Sequence, residues 1–292
     1  GGILQHFSLP ENIRMSLFSA RFLRNINEYL GVPNEPPIDL QFQPSGYLFL
    51  ASPKDAAELE AAVQLQREQG GSQIFSPSPT PPGLENEGWF DPWTLLHAFR
   101  RKARPHPHFT PKTHAGFVTS ADNPQDPEAA RITYVHVHMA DSLEYQPVAC
   151  AVVVNAACVW GSQLSFGVPH RYVFSWHCPD GPGFSCPFLI DTSGAYFRRD
   201  GIAGNYLGGM SPPEEEEPDP SDLSVDDAFF QEQLWPRLAR RVPAFESLKP
   251  RGSWAGYYDH NSFDQNGVLG PHPKLENLYV AAGFSGHGLQ HA

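Results

Sequence analysis

A short hydrophobic strand near the end of the chain runs directly into a segment with three glycines, and this combination limits the fold most strongly. The strand is predicted over residues 279–282, and the segment that follows contains Gly283, Gly286 and Gly288. Glycines at the start of a helix let backbone N–H groups approach an anion or an electron-rich ring closely. The segment predicts either a ligand-binding loop at a strand end or an ordinary glycine turn.

A second apolar run, residues 148–157, predicts a strand that is buried on both faces, as in a parallel sheet flanked by helices. The run ends in Asn155, Ala156 and Ala157. In doubly wound sheets, ligands bind beyond the carboxyl ends of the strands, where small residues leave room for a cofactor. The alternative is a strand end that is simply packed by alanines.

Helical periodicity and turn residues predict the rest of the secondary structure. One helix is expected over residues 10–30, with Ser8 as its N-cap. A second is expected between its N-cap Ser52 and Gly70, and a third follows its N-cap Asp91. Another helix is expected after Asp226, with a kink at Pro236. Alternating or aromatic-rich runs predict strands over residues 46–51, 131–138, 171–176, 195–199 and 205–209. This order predicts an α/β protein in which a doubly wound sheet is interleaved with a mostly antiparallel α+β domain.

Charge and hydrophobicity exclude several classes of function. The chain has 20 Lys and Arg against 32 Asp and Glu, a net charge of −12, and no basic stripe, so no nucleic-acid partner is expected. The longest apolar run, residues 148–160, is shorter than the ~20 residues of a membrane span, so no transmembrane segment is expected. The four cysteines are expected to be reduced thiols, with a Cys178–Cys186 disulfide as the alternative in a secreted chain.

Two further groups of residues are candidates for chemistry. Tyr196, Arg198 and Arg199 share one predicted strand, and a guanidinium can clamp a carboxylate through two hydrogen bonds; surface charges are the alternative. His136 and His138 share one strand face, as metal ligands often do. Because no further histidine completes a ligand set, an ordinary strand edge is favoured over a metal site.

Four motifs together resemble the glycine/D-amino-acid oxidase family of FAD-dependent oxidoreductases, which includes enzymes that oxidise sarcosine and dimethylglycine. The motifs are the opening Gly1-Gly2-Ile3, then Gly46-Tyr47-Leu48, then residues 154–160, and finally residues 283–288. The resemblance covers most of the chain, namely residues 9–69, 87–102, 142–157, 171–179, 191–209 and 254–290. Tyr-Phe-Arg-Arg at 196–199 and residues 263–267 are specific parts of it.

The resemblance implies FAD as cofactor and assigns roles to individual residues. Tyr47, Tyr196 and Arg198 are implied on the substrate side. The residues implied near FAD are Gly1, Gly2, Asn155, Ala156, Ala157, Gly283, Gly286, His287 and Gly288. Residues 1–31, 84–160 and 250–292 are expected to belong to the FAD-binding domain, and residues 32–83 and 161–249 to the substrate domain.

The resemblance also implies a place in the cell. It suggests a mitochondrial protein, in the matrix or associated with the inner membrane, that takes part in the assembly of respiratory complex I and contacts its subunits or assembly factors. The alternatives are a catalytic oxidase or dehydrogenase of small amines or amino acids, and a non-functional fragment.

The sequence departs from the family pattern in several places. The family's G-x-G-x-x-G unit and its final helix are expected to be missing, as in a chain truncated at both ends. Cys158 stands where the family usually has glycine, and residues 70–83 and 161–169 look shorter than in the family.

Overall fold

The computed structural model describes residues 1–70, 86–104, 119–121, 131–138, 145–157, 169–219 and 222–291. Its helices are α1 (Pro10–Arg24), α2 (Ile26–Leu30), α3 (Ala56–Glu68), α4 (Pro92–Ala103), α5 (Trp235–Arg241) and α6 (Gly288–His291). Its strands are β1 (Gly2–Ile3), β2 (Tyr47–Phe49), β3 (Gly88–Trp89), β4 (Thr119–Ala121), β5 (Ile132–His138), β6 (Tyr145–Ala149), β7 (Val153–Asn155), β8 (His170–His177), β9 (Phe188–Ile190), β10 (Tyr196–Asp200), β11 (Asn205–Gly209), β12 (Lys249–Tyr257), β13 (Val268–Pro271) and β14 (Leu278–Ala282). This mixture of helices and strands confirms the predicted α/β class.

The chain divides into two compact units, each assembled from separate segments. Unit 1 consists of Gly1–Lys102, His170–Gly256 and Leu289–Ala292, and unit 2 consists of Ala103–Pro169 and Tyr257–Gly288. Packing alone defines these units. The assignment of segments to an FAD-binding and a substrate domain therefore stays a prediction.

A six-stranded sheet is the main element of unit 1, in the order β12–β8–β11–β10–β9–β2. Strands β8, β11, β10 and β9 pair antiparallel, while β2 pairs parallel with β9. The strands predicted over residues 171–176, 195–199 and 205–209 are confirmed, and they lie in one mostly antiparallel sheet as expected.

One face of this sheet carries the main core of unit 1. Trp176, Phe197 and Tyr206 project from neighbouring strands into a cluster that the π-helix Phe229–Leu234 and Phe245 complete. The ring of Phe245 meets those of Trp176, Phe197 and Tyr206 edge-on, with centroid distances of 5.5, 5.1 and 5.0 Å. Each such pair adds about 0.5–1.5 kcal/mol beyond the burial of apolar area, so this cluster holds the sheet rigidly.

Helices α1, α2 and α4 form a second apolar cluster in unit 1 with β1. The helix predicted over residues 10–30 is interrupted at Asn25, whose backbone and side-chain N–H groups both donate to the carbonyl oxygen of Arg21, at 3.1 and 2.9 Å. The buried apolar residues of this cluster are Ile3, Ala20, Leu23, Ile26, Leu30, Ile38, Leu40, Phe90, Leu95 and Ala98.

Unit 2 contains the sheet β13–β14–β7 and the antiparallel sheet β4–β5–β6. Strand β14 pairs parallel with β7, which places Val280 opposite Asn155. The buried side chain of Asn277 donates to the carbonyl oxygens of Ile132 (2.8 Å) and Ala151 (3.1 Å) and accepts the N–H of Ile132 (2.9 Å). A single amide therefore ties β5 to the start of β7 and β14.

Residues 148–157 do not form the single strand that was predicted. Strand β6 ends at Ala149 and pairs with β5, whereas β7 begins at Val153 and pairs with β14. The backbone carbonyl of Asn277 accepts the N–H of Val153 (2.9 Å), so the chain changes sheet at this point. Burial on both faces is also wrong, because Val152 and Val154 are 58% and 62% exposed. The predicted parallel pairing is confirmed for β7.

Of the N-caps predicted at Ser8, Ser52 and Asp91, only Asp91 is confirmed. Asp91 accepts the N–H groups of the first turn of α4 through both carboxylate oxygens, at 3.0 and 3.2 Å. Ser8 makes no cap hydrogen bond at the start of α1. Ser52 donates its hydroxyl to the carboxylate of Asp55 (2.6 Å), and α3 begins only at Ala56, without a side-chain cap hydrogen bond.

The helix predicted after Asp226 forms in two parts, the π-helix Phe229–Leu234 and α5. Asp226 accepts the N–H of Ala228 at 2.8 Å, close to the predicted start. Pro236 lies in the first turn of α5, where its missing N–H is tolerated, and the change from π to α geometry takes the place of the predicted kink.

Three further predictions concern a membrane span, a metal site and a disulfide, and they are compared with the described residues. No helix in the described ranges is long and apolar enough to cross a membrane. The metal alternative at His136 needs further ligands, and no described group of three His, Cys, Asp or Glu residues could hold a metal ion. Cys178 and Cys186 are free thiols, so the disulfide alternative is wrong. The described part does not include the side chain of His138 or the residue Cys158. It also leaves out nearly all of residues 70–83 and 161–169, the two segments that look shorter than in the family.

Candidate functional site

The six-stranded sheet of unit 1 has a second face, opposite the aromatic core, which we call the outer face. Successive side chains of a strand point to opposite faces. Since Phe197 lies in the core, its neighbours Tyr196 and Arg198 lie on the outer face. Tyr47 of β2 is in register with Phe188 of β9, and both share this outer face. The three residues predicted on the substrate side are therefore on one surface.

Aromatic rings form a continuous row along the outer face. The rings of Tyr47 and Phe188 stack with centroids 4.6 Å apart, and those of Phe188 and Tyr196 lie 5.8 Å apart. Burial raises the pKa of Tyr47 and the pKa of Tyr196 above the usual value for a phenol. Both hydroxyl groups therefore remain protonated at neutral pH and act as hydrogen-bond donors.

Gly2 lies beside the hydroxyl group of Tyr47, and Glu87 accepts a hydrogen bond from the backbone of Tyr47. A Cβ atom at Gly2 would lie only 2.2 Å from the Tyr47 hydroxyl oxygen, so only glycine fits beside this phenol. Glu87 is buried and accepts the backbone N–H of Gln5 at 3.1 Å. Burial raises the pKa of Glu87, while hydrogen bonds from the backbone of Gln5 and Tyr47 act in the opposite direction. Sequence reasoning missed Glu87, since nothing near it marks a buried acid.

Arg198 is held by three contacts. Its guanidinium lies 4.4 Å from the centroid of the Trp89 ring, a cation–π arrangement. It also donates to the carboxylate of Asp200 and to the carbonyl oxygen of Arg199, each at 2.9 Å. The predicted role of Arg198 as a carboxylate clamp stays a prediction, and its charge is already shared with Asp200.

Arg171 is a second cation of the outer face, and sequence reasoning missed it. In β8 the residues on either side of it, His170 and Tyr172, are buried, so Arg171 points to the opposite face. A Cβ atom at Gly209 would lie 2.7 Å from both the Tyr196 hydroxyl oxygen and the carbonyl oxygen of Tyr172, so the phenol reaches the strand end that carries Arg171. The positive charge of Arg171 opposes the effect of burial on the pKa of Tyr196. The alternation of β8 predicts that Arg171 points away from the core, but only the sheet order β8–β11–β10 brings it near Tyr196.

Gly1 packs closely against side chains of unit 1. A Cβ atom there would lie 2.3 Å from Cδ2 of Leu289 and 3.2 Å from the Phe90 ring. The structure therefore explains this glycine by close packing within unit 1, and its predicted place near FAD stays a prediction.

In unit 2, Asp259 organises the glycine-rich loop. One of its carboxylate oxygens accepts the N–H groups of Gly283 (2.8 Å) and Phe284 (3.2 Å), and its backbone carbonyl accepts that of Ser285 (3.2 Å). Nothing in the loop sequence itself indicates this anchor, which lies 24 residues earlier than Gly283.

Three residues of the loop, namely Gly283, Ser285 and Gly286, adopt left-handed backbone geometry. Gly286 has φ +87°, and a Cβ atom there would lie 2.5 Å from Cε2 of Tyr258. Ser285 has φ +48°, a costly value for a residue with a side chain. The Tyr258 hydroxyl donates to the carbonyl of Ser285, and the Ser285 hydroxyl accepts the N–H of Asn261 (3.0 Å). These bonds hold the turn in one shape.

Small residues meet at the carboxyl edge of the parallel strands β7 and β14. Ala156 is exposed, and the N–H of Ala157 donates to the side chain of Asn155 (3.2 Å). On the neighbouring strand end, Gly283 has φ +75°. Dinucleotides bind beyond such strand ends where small residues permit close approach, so the residues present fit FAD.

His287 and Gly288 complete the loop. The N–H of His287 donates to the carbonyl of Phe284 (3.1 Å), and burial lowers the pKa of the imidazole, with Asp259 acting in the opposite direction. His287 is therefore neutral at pH 7. A Cβ atom at Gly288 would lie 3.1 Å from that of Phe284, a tight contact that favours glycine. Contacts of either residue with FAD stay a prediction.

The sequence is similar to a known protein family and to several of its members. A family model described as "FAD dependent oxidoreductase" matches residues 1–292. The chain is 51% identical to FAD-dependent oxidoreductase domain-containing protein 1 of Bos taurus, with 100% of this chain and 68% of that protein covered. It is 52% identical to the protein of the same name from Xenopus laevis, with 100% and 67% covered.

Solved structures share the fold. L-proline dehydrogenase from P. horikoshii matches with a TM-score of 0.76 at 22% identity, covering 100% of this chain and 78% of that chain. Glycine oxidase from Geobacillus kaustophilus matches with a TM-score of 0.72 at 19% identity, covering 97% and 76%. At such identities the likeness concerns the fold alone.

Proposed function

The chain belongs to the FAD-dependent oxidoreductase family, and from this premise we propose that it oxidises a C–N bond of a small amine or amino acid. FAD is the cofactor of the family and, when bound, supplies the acceptor for the hydride. Two of the fold neighbours are a proline dehydrogenase and a glycine oxidase, which supports this class of substrate.

The outer face of unit 1 is the observation that carries the proposal. Its aromatic row offers an apolar surface for the substrate carbon atoms. The protonated hydroxyl groups of Tyr47 and Tyr196 donate hydrogen bonds that orient a polar substrate group. Arg171 and Arg198 supply positive charge for a substrate carboxylate. The chain itself thus binds and orients the substrate.

Anaerobic mixing with N-methylated amino acids tests the catalytic proposal. We expect the visible absorption of the bound flavin to fall when a substrate donates its hydride, because reoxidation is blocked without oxygen. If bound flavin keeps its full absorption with every N-methylated and unsubstituted amino acid tried, the proposed reaction is wrong.

We also propose a second function, a mitochondrial role in the assembly of respiratory complex I through contact with its subunits or assembly factors. The family resemblance suggests it, and one surface feature favours it. Phe18 of α1 and Phe99 of α4 are 55% and 47% exposed, and both stack near the ring of Phe22, at centroid distances of 6.5 and 6.0 Å. Exposed aromatic patches often mark protein interfaces. The guanidinium of Arg21 lies 5.7 Å from the centroid of the Phe18 ring, which adds a positive charge beside the patch.

A double substitution tests the assembly function. Phe18→Ser with Phe99→Ser is expected to reduce co-purification of complex I subunits from mitochondria more than about tenfold, because each lost aromatic anchor costs over about 1 kcal/mol. Phe263→Ser is the matched control, since Phe263 is 93% exposed and lies in unit 2. Unchanged co-purification by the double variant would remove the patch as an interface.

A further inference from the structure

The proposed function uses the positive charge of Arg171 but does not explain why Glu217 is already paired with it. Nη1 of Arg171 lies 2.7 Å from a carboxylate oxygen of Glu217, and the two side chains are 22% and 26% exposed. Nη1 also donates to the backbone carbonyl of His170 at 3.0 Å. A carboxylate of this chain is thus bound to a cation of the outer face, in contact with solvent.

The position of Arg171 makes this pair relevant to ligand binding. Arg171 and Tyr196 share the outer face, and the charge of Arg171 acts on the Tyr196 hydroxyl. A Cβ atom at Gly209, the register partner of Tyr196, would lie 2.7 Å from that hydroxyl oxygen, so the phenol lies directly over β11, between β10 and β8. A carboxylate on Arg171 therefore lies next to a phenolic donor.

Glu217 lies outside the sheet strands, whereas Asp200, the partner of the other outer-face arginine, belongs to β10. Glu217 follows the short 3₁₀ helix Glu214–Glu216 in a segment that leads away from β11. Arg198, by comparison, is fixed by Asp200, by a backbone carbonyl and by the ring of Trp89. A ligand carboxylate that replaces Glu217 keeps the Arg171 guanidinium paired, so the exchange leaves no uncompensated charge on the outer face.

We propose that Arg171 is a carboxylate-binding subsite and that Glu217 is an internal carboxylate that an anionic ligand displaces. Glu217 then determines specificity: it lowers the affinity for ligands that carry a carboxylate and leaves amines without one unaffected or favoured. The inference deepens the proposed function, on which it rests for the outer face being the substrate side.

Calorimetric titration of the full chain with N,N-dimethylglycine tests the proposal. Glu217→Gln is expected to bind this carboxylate about fivefold more tightly than the parent, the gain expected when one partly exposed ion pair no longer competes. Glu216→Gln is the matched control with the same change of charge, and its affinity should equal that of the parent. N,N-dimethylethanolamine, which has an alcohol in place of the carboxylate, should show no gain with Glu217→Gln.

A double variant separates the subsite from a general effect of charge. Arg171→Gln combined with Glu217→Gln should lose the gain, and the thermal unfolding midpoint of each variant reports whether it is folded. Glu217→Ala gives a second way to remove the carboxylate. Equal affinity of parent and Glu217→Gln, or a gain that persists without Arg171, would overturn the proposal. Because calorimetry does not depend on flavin absorption, a failure here is distinct from a failure to bind FAD.

Discussion

Replacing Asn277 with alanine is expected to destabilise unit 2 by about 3–5 kcal/mol. The side chain is buried and makes three hydrogen bonds, two to the backbone of Ile132 and one to Ala151. Its removal leaves the N–H and C=O of Ile132 without this partner, and each buried orphan group costs about 1–3 kcal/mol. Chemical denaturation followed by circular dichroism measures the loss.

Asn25→Ala provides the control for this substitution. Asn25 is exposed, and its side chain makes one hydrogen bond, to the carbonyl of Arg21. Its loss is expected to cost less than about 1 kcal/mol. If Asn277→Ala destabilised the protein no more than Asn25→Ala, the amide would not be the tie between β5, β7 and β14.

Gly286→Ala is expected to destabilise the glycine-rich loop by about 2–5 kcal/mol. The left-handed backbone at φ +87° costs about 1–2 kcal/mol for a residue with a side chain. The new Cβ atom would also collide with the Tyr258 ring at 2.5 Å, and forced displacement in a packed site costs about 1–3 kcal/mol more. The same denaturation experiment gives the free energy of unfolding.

Gly70→Ala separates the two causes. Gly70 has φ +79°, but a Cβ atom there would meet no atom of the described residues within 4 Å. Its cost is therefore expected to be the backbone part alone, about 1–2 kcal/mol. Equal losses for Gly70→Ala and Gly286→Ala would mean that Tyr258 moves aside freely and does not hold the loop.

Local signals were enough to predict many elements of the fold. Strand β11 was predicted with the bounds that the structure gives it, and α4 begins at the predicted Asp91 cap. These features depend on residues that are adjacent in sequence. The single strand over residues 148–157 failed because its interruption depends on Asn277, more than a hundred residues later, which binds the backbone at Ala151 and Val153.

The candidate site was predictable in part. Tyr47, Tyr196 and Arg198 were identified through family resemblance, and strand alternation explains why they share the outer face. Arg171 was missed because only the sheet order brings it near Tyr196, and Glu87 was missed because its burial beside the backbone of Gln5 depends on residues distant in sequence. The opening and loop glycines were identified as cofactor residues, while the structure shows that Gly2 and Gly286 are also required by neighbouring tyrosine side chains.

The visible absorption spectrum of the purified chain tests the central claim, that this protein is a flavoprotein, most directly. We predict a flavin spectrum that persists through purification, and release of FAD on denaturation, identified by mass spectrometry. A folded chain that stays colourless after purification in the presence of added FAD would contradict the claim.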